Sequence, residues 1–273
     1  MNTISQLNFT ALLEKLPARK HDAHKGDFGH VLVIGGDFGY AGAPLLTALG
    51  ALRVGAGLVT IASHQESLNG INACHPEIMC HAITHARDLK PLLDKATVIA
   101  LGPGLGRSSW SHKIFKSVIN SPLPLILDAD ALFFLAQNPT QNINRILTPH
   151  PGEAAKLLNL EQAISVEQRD KAIATLIAKY HATIVLKGAE TMVGSKTTNI
   201  GRCTAGNPGM ATAGMGDLLT GVIAGLVAQS LELDIAAKLG VCVHAMAGDL
   251  AAKSGTRGII ATDLLLPIKQ LMS

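Results

Sequence analysis

A chain of 273 residues that is 48% apolar and only 16% charged can bury a large core, which excludes a disordered protein. Its formal net charge of +3, with no Lys/Arg run, excludes a nucleic-acid footprint but is compatible with a local site for a small anion. The four cysteines (Cys74, Cys80, Cys203, Cys242) lack CxxC spacing, the N-terminus has no basic start followed by an apolar stretch, and no apolar run reaches about 18 residues, so a soluble cytoplasmic protein with reduced thiols is expected.

In chain order, "HVLVIGG" (30–36) reads as a buried strand ending in a glycine turn, "GAPLLTALGALRVGAG" (42–57) as a helix and "LVTIAS" (58–63) as the next strand. The strand signature returns at 96–102, 124–130, 145–150 and 183–188. These runs are continuous rather than alternating, which predicts strands covered on both faces, as in parallel sheets. Between the last two, Ser165 and Gln168 form an S-x-x-Q capping box, followed by Ala172, Ile173, Leu176, Ile177 and Tyr180 on one helical face. Segments within 191–205 read as short antiparallel strands, and Ile235, Leu239, Cys242, Val243, Met246 and Leu250 as one face of a late helix. With no linker or repeat, the pattern predicts one three-layer α/β/α domain around a mostly parallel sheet, spanning 1–273. Residues 1–15 are expected to be an N-terminal extension that packs on a neighbour or frays.

Ligands of such sheets bind beyond the carboxyl ends of the strands. Those ends read "VIGGDFGYAG", "LGPGLG", "LDADAL", "LTPHPGE" and "LKGAET". A Walker A loop is excluded because Gly-Lys never occurs, and the glycine spacing fits a dinucleotide fingerprint poorly. Neither G-x-S-x-G nor H-E-x-x-H occurs. "HDAH" (21–24) and "HAITH" (81–85) lack partner ligands for a metal, and His244 reads as a packed histidine.

The stretch "GNPGMATAGMGDLLTGVIAGLVAQ" (206–229) sets Gly206, Gly209, Gly214 and Gly216 ahead of an apolar helix. A helix starting there presents unpaired N–H groups to an anion, and Gly214 and Gly216 let a phosphate approach the backbone. Asp217 either caps that helix or takes a proton from a hydroxyl that attacks the phosphate; spacing alone leaves both readings open. His150 and Glu153 read as a turn and helix start, or as a substrate contact and a water-mediated Mg²⁺ ligand. Lys187 reads as a surface lysine or a point charge toward phosphates, and Asp128 and Asp130 as metal-linked groups or turn formers.

Taken together and in order, "HKGDFGHVLVIGGDFGYAGAPLLTALGALRVGAGLVT", "LGPGLG", "LDADAL", "LTPHPGE", "IVLKGAETMV" and the 206–229 stretch resemble the ADP/ATP-dependent NAD(P)H-hydrate dehydratases of the ribokinase-like superfamily, from about Leu16 to near the C-terminus. The resemblance implies a ribokinase-like fold and a hydro-lyase that restores NAD(P)H from its (S)-hydrate. ADP or ATP would phosphorylate the ring hydroxyl, phosphate would then leave, and Mg²⁺ would assist. It implies that Asp217 is the base and a substrate contact, and that Ala43, Gly104 and His150 touch the hydrated nicotinamide nucleotide. Lys187, Gly188, Ala189, Glu190, Thr191 and Gly216 would hold the adenine nucleotide. A homotetramer and a functional link to a separate NAD(P)H-hydrate epimerase are implied as well.

The chain departs from the pattern in three respects. Ala213 stands where relatives carry a further glycine, no length is left for the epimerase domain of many relatives, and His150-Pro-Gly-Glu153 replaces the superfamily's Asn-x-x-Glu metal motif. The alternatives are a kinase of the same superfamily acting on a small hydroxymethyl or hydroxyethyl heterocycle, and a nucleotide-binding sensor without turnover.

Overall fold

The computed structural model describes residues 4–68, 71 and 75–273. Its strands are β1 (Ser5–Gln6), β2 (His30–Ile34), β3 (Leu58–Ser63), β4 (Met79–Ala82), β5 (Val98–Leu101), β6 (Leu125–Leu127), β7 (Arg145–Leu147), β8 (Thr183–Leu186), β9 (Met192–Gly194) and β10 (Gly201–Arg202). They form one sheet in the order β1-β10-β9-β8-β7-β6-β5-β2-β3-β4. From β4 across to β8 every pairing is parallel. β8, β9 and β10 then run antiparallel, and β1 joins β10 in parallel.

Among the described residues the α-helices are α1 (Phe9–Leu13), α2 (Gly42–Arg53), α3 (Lys90–Leu93), α4 (Ser109–Val118), α5 (Asp130–Gln137), α6 (Pro151–Leu157), α7 (Arg169–Tyr180), α8 (Met215–Ala228), α9 (Leu233–Ala251) and α10 (Leu265–Leu271). Successive strand residues feed two cores. Val31, Val33, Val98, Ala100, Ile126 and Val185 pack with α2, α8 and α9 on one face. Leu32, Ile34, Ile99, Leu101, Leu127 and Leu186 pack with α4 to α7 on the other. Two covered faces explain why the strand runs are continuously apolar, and the molecule is the expected α/β/α sandwich.

α2 and α8 pack backbone to backbone: a β-carbon on Gly221 would overlap the carbonyl oxygen of Thr47. The Thr47 hydroxyl lies 3.0 Å from both the Ala43 and the Asp217 carbonyl oxygens, tying the first turns of the two helices together.

Three expectations change. α2 stops at Arg53 rather than running to residue 57, because Val54 caps it and Gly55 turns the chain at φ +108°. Residues 5–13 are held on this chain's own fold: Ser5 and Gln6 pair with β10, Asn8 caps α1 by accepting the Ala11 N–H at 3.1 Å, and Phe9, Leu12 and Leu13 pack on the core. One segment, Leu233–Ser254, is after all long and apolar enough to cross a membrane by length and composition alone. It is a core helix, since Leu239, Val243 and Ala247 lie buried in the same core as α8. Cys80, Cys203 and Cys242 are free thiols, and Cys74 lies outside the described residues.

Candidate active site

Three adjacent parallel strands end at the first turn of α8. Asp128 follows β6, Thr148 follows β7 and Lys187 follows β8. The Lys187 ammonium stands 2.6 Å from Asp128 Oδ1 and 3.9 Å from Glu153 Oε2. The Thr148 hydroxyl donates to Asp128 Oδ1 at 2.8 Å. A β-carbon on Gly216 would lie 3.2 Å from Lys187 Nζ and 3.8 Å from Asp128 Oδ2, so the bare backbone of α8 faces both charges.

α8 opens from Gly214, whose φ of +87° is left-handed and whose absent β-carbon would run into Leu46. No side chain caps this end. Asp217 is therefore not the helix cap, one of its two sequence readings; it sits in the third helical position. Its carboxyl is pushed up to about 6 by burial, with Asp128 adding to the shift and Lys187 opposing it. Burial likewise pushes Glu153 up to about 7, against Lys187 and with Asp128. For Lys187 burial works against the charge, but Asp128 and Glu153 outweigh it and hold the ammonium above its usual range.

His150 begins α6. Its Nδ1 accepts the N–H groups of Gly152 at 3.0 Å and Glu153 at 3.4 Å, while Glu153 Oε2 accepts the His150 N–H at 2.8 Å. With Nδ1 occupied as an acceptor, the neutral ring carries its proton on Nε2, which lies 3.5 Å from Glu153 Oε1. Burial, and then the charge of Lys187, lowers the ring's proton affinity and keeps it neutral.

Ala43, in the first turn of α2, meets Gly104 in the loop after β5. Gly104 adopts φ +61°, and a β-carbon there would crowd the Tyr40 carbonyl at 2.7 Å and Ala43 Cβ at 3.1 Å. The Asp37 N–H donates to the Gly104 carbonyl at 2.8 Å, locking the loops together. Ala43 is in turn joined to Asp217 through Thr47.

Gly188, Ala189, Glu190 and Thr191 form the exposed turn between β8 and β9. Gly188, at φ +133°, lies against the Arg169 guanidinium, and Thr191 donates to the Gly188 carbonyl at 2.9 Å. The Glu190 carboxylate accepts from Arg202 at 3.1 Å. This turn forms the rim, and Lys187, the residue just before it, reaches the Asp128 cluster. Ala43, Gly104, His150, Lys187, Gly216 and Asp217 thus gather at one end of the sheet.

Asp128 proves to be the ion-pair partner of Lys187. Asp130 bonds the Gly106 N–H at 2.9 Å and Arg107 at 3.1 Å, which fits its turn-forming reading. Among the described residues no group of three or more His, Cys, Asp or Glu is arranged to hold a metal, "HDAH" and "HAITH" included. His244 is buried, as expected of a packed histidine. A cavity of about 570 Å³ lined by Arg19, Arg53, Gln229 and Lys269 lies at the far end of α2 and α8, away from these groups.

A family model described as NAD(P)H-hydrate dehydratase matches residues 31–270. The bifunctional NAD(P)H-hydrate repair enzyme Nnr of Coxiella burnetii is 48% identical over 268 residues, which are 98% of this chain and 55% of that protein. The ADP-dependent (S)-NAD(P)H-hydrate dehydratase of Neisseria meningitidis is 37% identical over 259 residues, covering 90% of this chain and 86% of that one. The crystal structure of ADP/ATP-dependent NAD(P)H-hydrate dehydratase from Bacillus subtilis, co-crystallized with ATP/Mg²⁺, matches at a TM-score of 0.84 and 26% identity over 98% of both chains. The chain spans about half the length of the bifunctional relatives it matches.

Proposed function

This chain belongs to the NAD(P)H-hydrate dehydratase family, and on that premise we propose that it restores NAD(P)H from the (S)-hydrate, using ADP or ATP. The observation that carries the proposal is a half-buried carboxylate, Asp217, which caps nothing and stands in the first turn of an uncapped helix beside Lys187.

The phosphoryl group to be transferred lies at the α8 N-terminus over Gly216, where free N–H groups and the Lys187 ammonium face the developing charge. Asp217 accepts the proton of the ring hydroxyl as its oxygen attacks phosphorus and the bond to the rest of the nucleotide breaks. The phosphate ester then leaves with the C–O electron pair, and loss of a ring proton restores the double bond. The His150 Nε2–H is a donor toward the substrate, and Ala43 and Gly104 line the ring's side of the cleft. Residues 187–191 hold the adenine nucleotide.

Mg²⁺ fits as a hydrated ion: Glu153 offers one oxygen-donor carboxylate at the edge of the phosphate site, without a protein cage. When bound, it supplies positive charge to the phosphates.

The free thiols of Cys80, Cys203 and Cys242 support work in a reducing cytoplasm, and the bifunctional relatives support a link to an epimerase. We extend the reading to a homotetramer. The test is to supply hydrated NADH, Mg²⁺ and ADP, then ATP, and to follow reduced-nicotinamide absorbance together with released phosphate. Equal recovery of both supports the reading. Phosphate ester that accumulates without recovered NADH contradicts it and favours a kinase.

A further inference from the structure

Asp128 has no part in the chemistry just described, yet it is only 1% exposed and its two oxygens face three different elements of the site's frame. Its Oδ1 receives both the Thr148 hydroxyl at 2.8 Å and the Lys187 ammonium at 2.6 Å. Its Oδ2 faces the bare Gly216 backbone, 3.8 Å from where a β-carbon would stand. One carboxylate thus joins the ends of β6, β7 and β8 to the start of α8.

We infer that Asp128 is a positioning residue: it holds Lys187 in a single placement over Gly216, where the transferred phosphoryl group of the nucleotide is received. The inference rests on the function proposed above. A purely stabilising role explains the arrangement poorly, because a buried ion pair adds little net stability over apolar residues of the same volume. The turn that delivers Asp128 is itself strained: Ala129 holds φ +48° and ψ −118°, a conformation that residues with a β-carbon rarely adopt. Lysine is a flexible point charge, and its unpaired ammonium would reorient among Glu153, Asp217 and solvent. Anchoring it beforehand removes that freedom at no cost during the reaction. Asp128 would itself repel a phosphate, so its effect must pass through Lys187.

The test compares Asp128→Asn, Lys187→Met and the double variant with wild type, reading kcat, the KM of each substrate, ADP affinity by calorimetry and Tm. Asp128→Asn is expected to lower kcat/KM for the nucleotide by about 30-fold or more, the scale for breaking a buried charged hydrogen bond. The KM for the hydrated cofactor should move by less than about 3-fold, and in the Lys187→Met background the Asp128 change should add less than about 3-fold. Effects that multiply across the two variants, or that fall equally on both substrates, overturn the inference. Should Asp128→Asn not fold, Thr148→Val removes one anchor of the same carboxylate and should weaken the nucleotide terms alone; no change there also overturns it. Calorimetry separates the two readings: a wild-type protein that binds ADP without restoring NADH ends the dehydratase reading, while the variants' ADP affinities still decide the role of Asp128.

Discussion

The ammonium of Lys187 stands 3.2 Å from the point that a β-carbon on Gly216 would occupy. Gly216 is helical, so alanine there gains up to about 1 kcal/mol of helix propensity, while its methyl displaces the tip of Lys187 and covers the phosphate face. Gly216→Ala is expected to keep or raise Tm while raising the nucleotide KM about 10-fold or more. Thermal melts and steady-state kinetics on one preparation check both halves.

Gly214 behaves differently. Its left-handed φ of +87° and the proximity of Leu46 penalise any β-carbon. Gly214→Ala should lose about 1–3 kcal/mol of stability as well as activity, measured by denaturant unfolding.

The sheet was legible in the sequence because its strands are buried on both faces. "HVLVI" and "TIVL" could not alternate when Val31 and Leu32 serve opposite cores. The glycine-led start of α8 was legible because Gly214 and Gly216 stand directly ahead of an apolar run, though spacing alone left Asp217 open between a cap and a base. Asp128 was visible only as an acidic residue after a strand. Its partner Lys187 lies 59 residues on, and only the sheet order makes them neighbours. Thr47 gave no signal, since a threonine inside a helix usually bonds its own turn, and the contact with Asp217 depends on how closely α2 meets α8. β1 was too short to show a period, and the end of α2 was hidden because Gly50 and Gly55 look alike in sequence while only Gly55 turns left-handed.

Asp217, at about 6, must be ionised to act as a base. kcat/KM should therefore rise with pH through about 6 and level off above it. The folded state holds this proton more tightly than the unfolded chain, so Asp217 lowers stability as pH rises from the ordinary aspartate range through about 6. Asp217→Asn should remove that loss and stabilise the fold by about 1–3 kcal/mol at pH 8, read by unfolding at pH 5 and pH 8.

His150 combines a cap and a donor on opposite sides of one ring. Asparagine also caps helices well but lacks the second ring nitrogen with its Nε2–H. His150→Asn should hold stability within about 0.5 kcal/mol and raise the KM for the hydrated cofactor about 10-fold, with nucleotide KM little changed. Alanine should lose about 1 kcal/mol in addition.

The central claim is that Asp217 is the base in a nucleotide-dependent dehydration. Its most direct test is single-turnover recovery of NADH from the hydrate by wild type and Asp217→Asn, at saturating ADP and Mg²⁺. The account predicts a loss of about 100- to 10,000-fold in the rate, with nucleotide affinity retained and Tm unchanged or raised. Recovery by the variant within about 10-fold of wild type, well short of what removal of a general base produces, would contradict it.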